Sequence, residues 1–121
     1  MDEQERATVS QTLLKEFYPL AAQTCNNPEA TQQVLFDFLV VAIQQGFNAA
    51  EAIAVLTQRP GGLLLKLGNF YGSQDLKGFV EYLKGLEVRD LYTAAGVPAE
   101  RDFEKDPASG KWRLKATNTQ P

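Results

Sequence analysis

Residues 28–45 read PEATQQVLFDFLVVAIQQ, and this stretch decides the fold. A helix here carries Val34, Leu35, Phe36, Phe38, Leu39, Val40, Val41, Ala42 and Ile43 on nearly every side. Gln33, Asp37 and Gln44 share one narrow polar stripe. A helix that is apolar almost all round sits at the centre of a bundle or under a partner. Asn27 fits the N-cap and Pro28 the first helical position. The apolar run Val34–Ile43, with Asp37 inside it, falls well short of the about 20 residues a bilayer-spanning helix needs.

On the N-terminal side, Val9, Leu13, Phe17, Ala21 and Cys25 recur every four residues and predict a helix over 3–25. Pro19 lies inside that pattern. It lacks a backbone donor and clashes with the Lys15 carbonyl, which predicts a kink or break near Tyr18. On the other side Gly46 ends the central helix. Asn48-Ala49-Ala50-Glu51 has the form of a capping box and opens a short helix over 49–57.

QRPGGLLLKLGNFYG follows at 58–72. Its glycines do not make a phosphate loop, because Gly62 and Gly68 are six apart, Asn69 follows, and no G-x-x-x-x-G-K-[ST] or G-x-G-x-x-G occurs. Pro60-Gly61-Gly62 reads as a turn, and Leu63 to Leu67 as one or two helical turns ending near Gly68. Leu76, Phe79, Val80 and Leu83 give a helix over 74–84, capped by Ser73, with Lys77 and Glu81 spaced as an ion pair. A last helix over 87–95 stops at Gly96. Arg101–Lys105 and Lys111–Ala116 flank the turn Asp106-Pro107-Ala108-Ser109-Gly110 and predict a hairpin, with Phe103, Trp112 and Leu114 on one face.

The expected fold is therefore mainly α: a compact bundle of five to six helices with a small C-terminal β-hairpin. The helical domain spans 1–98, the hairpin packed on it 99–116, and a frayed tail 117–121.

Composition narrows the chemistry. The 121 residues carry no histidine and one cysteine, and the net charge is −3. The usual histidine bases, Ser-His-Asp and Cys-His arrangements, and zinc or iron–sulfur sites built within one chain drop out. Cys25 reads as a small core residue. Asp102, Glu104 and Asp106 could serve as carboxylates in catalysis, but facing Lys111, Arg113 and Lys115 across a hairpin they read as cross-strand pairs. Asp37, on the stripe with Gln33 and Gln44, reads as solvent-facing. We expect no enzyme activity, no metal and no cofactor.

Residues 46–56, GFNAAEAIAVL, resemble the first helix of many helix-turn-helix motifs, and equally the second helix of small ubiquitin-binding three-helix domains. The DNA-binding resemblance implies a polar second helix and a surface gathering Arg59, Lys66, Lys77 and Lys84. Leu63-Leu64-Leu65-Lys66-Leu67 supplies the opposite character. The acidic balance also disfavours nucleic acid.

The expected function is a non-catalytic helical protein–protein interaction module: a subunit, assembly factor or regulator of a larger complex. Its partner is another protein or a second copy of this chain. The expected contact residues are Leu63, Leu64, Leu67, Phe70 and Tyr71, with Trp112 as a second anchor. The alternatives are a helix-turn-helix-like DNA-binding regulator and a peripheral membrane protein touching lipid through 63–71. An acidic N-terminus without a basic and apolar leader makes the cytoplasm the expected location.

Overall fold

The computed structural model describes residues 2–58 and 61–115. Six α-helices precede a two-stranded hairpin: α1 (Glu3–Gln23), α2 (Pro28–Gln44), α3 (Ala49–Thr57), α4 (Leu63–Lys66), α5 (Ser73–Lys84) and α6 (Val88–Ala95), then β1 (Phe103–Lys105) and β2 (Trp112–Leu114). One 3₁₀ turn, Leu67–Asn69, extends α4, and a second, Ala99–Arg101, leads into β1. This is the mainly helical bundle with a C-terminal hairpin that the periodicities predict. The tail at 117–121, and Arg59 and Pro60, lie outside the described residues.

Helix α2 is the central element and packs against α1, α3, α5 and α6. Leu35, Phe38, Leu39, Ala42 and Ile43 are fully buried, while Val34, Phe36, Val40 and Val41 are partly buried against the same core. Asn27 caps it by accepting from the Ala30 N–H. The polar stripe sits as expected: Gln33 donates to Asp37 at 2.9 Å, and both are exposed. Phe17 of α1 meets Phe38 edge-on, with ring centroids 5.4 Å apart.

One buried polar group needs explaining. Thr31, on α2, is 0% exposed. Its hydroxyl lies 2.7 Å from the Thr24 hydroxyl and 2.8 Å from the Tyr71 hydroxyl. The Thr24 hydroxyl donates to the Ala21 carbonyl, and the Tyr71 hydroxyl donates to the Thr24 carbonyl at 2.9 Å. Every proton in the group has an acceptor, which removes the desolvation penalty of burial. The trio ties the α1–α2 turn to the segment after α4.

Three local expectations are corrected. Helix α1 runs through Pro19 without the expected break. Phe17 and Ala21, on either side of it, are buried, so packing carries the helix past the lost hydrogen bond. Gly72, not Ser73, is the N-cap of α5, because the Leu76 N–H bonds the Gly72 carbonyl and helical backbone begins at Ser73. Glu81 pairs with Lys84, one turn on, rather than with Lys77. The capping box at Asn48 and Glu51 is present in both directions, and Gly96 takes the left-handed conformation (φ 70°) that ends α6.

Candidate functional site

The leucine-rich segment divides by helical face. Leu63 and Leu67 lie four apart on one side and are 0% exposed, inside this chain's own core. Tyr71 is buried with them, stacked edge-on to Phe79 and hydrogen-bonded to Thr31. Leu64 and Phe70 are partly buried, and Phe70 tilts against Tyr18. Leu65 is the exposed leucine of the group. Of the six expected contact residues, Leu63, Leu67 and Tyr71 thus have their surface occupied within the fold. Gly62 permits this close seat, since a Cβ there would stand 2.5 Å from the Gln58 carbonyl oxygen and 2.8 Å from that of Leu56.

Trp112 behaves differently. It is 59% exposed, more than any other large apolar residue described. Val88 and Leu114 are exposed near the same end of the chain. The hairpin geometry explains the grouping. Phe103 pairs with Leu114, Glu104 with Arg113 and Lys105 with Trp112. Directly opposed residues share a face and neighbours alternate, so Phe103, Trp112 and Leu114 point one way, together with Lys105. Phe103 stacks edge-on against Tyr92 of α6, with centroids 5.5 Å apart, which turns this face toward the helices. Trp112 and Phe103, with Val88, Arg89, Ala99 and Glu100, line an open groove of about 510 Å³.

The other face of the hairpin carries charge. Arg113 donates to Glu104 at 3.1 Å. Asp106 turns its carboxylate to the Ala108 N–H and the Ser109 hydroxyl, shaping the loop. Asp102 departs from the expected cross-strand pairing. Arg101, its neighbour, grips it through two nitrogens, at 3.0 and 2.6 Å. The same guanidinium donates to the Ile43 and Phe47 carbonyls at 2.9 and 2.8 Å, closing the C-terminal end of α2. The Tyr92 hydroxyl donates to Asp102 and accepts the Ala49 N–H that opens α3.

The protonation states follow from this packing. Burial alone would raise the Asp102 carboxyl, but the hydrogen bonds from Arg101 and Tyr92 and the charges of Arg101 and Lys115 outweigh it and hold the group below its ordinary value. Burial, then the Asp102 hydrogen bond and charge, push the Tyr92 phenol far above its ordinary value. An ionised carboxylate bound to an arginine and a protonated tyrosine is a structural clasp, with its lone pairs committed. The sequence did not signal it, because its partners lie up to 58 residues away.

Elsewhere the chemistry is sparse. Among the described residues no three His, Cys, Asp or Glu side chains converge as metal ligands, and no helix is long and apolar enough to cross a membrane. Cys25 is a partly buried free thiol at the α1–α2 turn. Of the cations in the DNA-binding reading, Lys66, Lys77 and Lys84 are exposed, with Lys66 over the Tyr18 ring at 5.5 Å, while Arg59 lies outside the described residues. No family model matches the chain, and neither the curated proteins nor the solved structures contain a significant match to it.

Proposed function

We propose that this chain is a non-catalytic helical module that works by binding another protein, as a subunit, assembly factor or regulator of a larger assembly. The observation that carries the reading is Trp112: a tryptophan 59% exposed, on a strand, beside a groove of about 510 Å³. Tryptophan is enriched at interface hot spots, and exposed apolar surface grouped beside a groove marks interaction sites. The burial of Leu63, Leu67 and Tyr71 moves the proposed contact surface from the leucine-rich segment to the hairpin end of the molecule.

The test is quantitative affinity capture with the full chain, comparing wild type with Trp112→Ala and with Leu20→Ala, which alters an exposed leucine on α1. The reading expects a protein retained by wild type and Leu20→Ala and lost with Trp112→Ala. Equal recovery by all three variants would remove the hairpin face as the contact surface.

A further inference from the structure

The backbone of β2 adds something its side chains do not. Lys115 N–H donates to the Asp102 carbonyl and Asp106 N–H to the Lys111 carbonyl, both at 2.8 Å. In an antiparallel ladder, hydrogen-bonded pairs alternate with pairs whose backbone groups point outward. With the register of the hairpin, Phe103–Leu114 and Lys105–Trp112 are the outward-pointing pairs. The N–H and C=O groups of Trp112 and Leu114 therefore point away from β1. None of them meets a backbone or side-chain partner among the described residues. Every residue from Lys111 to Lys115 is exposed. This is an open strand edge, which is a template for another strand.

The side chains along that edge say which strand fits. Residues 111–115 read KWRLK, so cationic and apolar side chains alternate. The apolar ones share the face of the groove, and the cationic ones share the other face. On the inner side, β1 and its flanks already supply acids at 102, 104 and 106 opposite 115, 113 and 111. Only Arg113 closes an ion pair there, with Glu104; Lys111 and Lys115 form none among the described residues. A strand added on the outer side meets the same cations, and acids at alternate positions satisfy them while the intervening residues face the groove. A second copy of β2 does not fit. It would lay Lys111, Arg113 and Lys115 against their own counterparts on one face, and opposed like charges are destabilising.

We propose that the outer edge of β2 accepts an extended segment of a partner protein in which acidic and apolar residues alternate, adding a third strand to the hairpin. This rests on the protein-binding reading and names the partner's chemistry.

The probe is a fluorescein-labelled ten-residue peptide alternating glutamate and valine, titrated against the full chain by anisotropy. The controls are a peptide of the same composition with its glutamates grouped at one end, and one with lysine for glutamate. We expect the alternating peptide to bind at least about tenfold more tightly than the grouped one, and the lysine peptide not to bind. Leu114→Pro removes an outward N–H and no inter-strand hydrogen bond, so it leaves the hairpin intact, which circular dichroism and amide shifts verify. It weakens the alternating peptide at least about tenfold relative to Leu114→Ala. Exchanging Lys111 and Lys115 together for glutamate transfers preference to the lysine peptide. On binding, the Trp112 and Leu114 amides gain protection from hydrogen exchange.

Equal binding of the two glutamate peptides, or equal affinity of Leu114→Pro and Leu114→Ala, overturns strand addition. A captured protein lost with Trp112→Ala but indifferent to Leu114→Pro and to the charge exchange also overturns it, while leaving the protein-binding reading in place. Self-association through this edge, seen by sedimentation and abolished by Leu114→Pro, overturns the choice of partner.

Discussion

The Tyr92 hydroxyl donates to the Asp102 carboxylate at 2.6 Å and at the same time accepts the Ala49 N–H at 3.1 Å. One oxygen thus joins α6, the start of α3 and the approach to the hairpin. Tyr92→Phe keeps the ring against Phe103 but leaves the first N–H of α3 without its acceptor. We expect a loss of about 1–3 kcal/mol, the cost of stranding a buried polar group, measured by urea unfolding.

The same contact sets a pH dependence. Asp102 is held below its ordinary value, so the folded chain takes up that proton at lower pH than the unfolded chain does. The resulting stabilisation is fully present above the unfolded value of about 3.9 and is lost as pH falls through the folded value. Urea-unfolding stability should drop on acidification below about pH 4. Asp102→Asn should be less stable at neutral pH and show a shallower acid drop. An unchanged acid limb in that variant would assign the drop to other carboxylates.

Two glycines should respond with opposite signs. A Cβ at Gly62 meets backbone of Gln58 and Leu56 at 2.5–2.8 Å, so Gly62→Ala forces that backbone to move and should cost about 1–3 kcal/mol. Gly78 lies within α5 with nothing within 4 Å of an added Cβ. Gly78→Ala should therefore stabilise by about 0.5–1 kcal/mol. Thermal and urea unfolding of the two variants gives the comparison directly.

Leu63 and Leu65 differ by two positions and by their surroundings. Leu63 is 0% exposed and Leu65 is 45% exposed. Leu63→Ala should cost about 2–5 kcal/mol through lost burial and a cavity. Leu65→Ala should stay within about 0.5 kcal/mol of wild type. Equal effects in chemical denaturation would contradict the division of the segment into a core face and a solvent face.

Much of the architecture was legible because it rests on local rules. The all-round apolar character of 28–45 placed α2 at the centre, and the Asn48 and Glu51 box, Gly96 and the loop before Gly110 each mark a boundary through chemistry within a few residues. Pro19 misled because the rule for proline treats the helix alone, while Phe17 and Ala21 hold this one against its neighbours. The 63–71 segment was ambiguous because a leucine suits a core and an interface equally. Only the position of α4 against α1 and α3 decides which leucines turn inward. Trp112 was singled out from residue type, and its exposure came with the register of the hairpin. The Arg101 clasp was illegible, since its acceptors are main-chain carbonyls, which no side-chain pattern announces.

Those carbonyls make Arg101 a tie between distant parts of the chain. The corner at Ile43 and Phe47 is closed by a side chain more than fifty residues downstream, so this joint carries the loop-closure cost of the whole intervening segment. A chain cut before residue 101 would therefore leave the Ile43 and Phe47 carbonyls without the guanidinium that caps them.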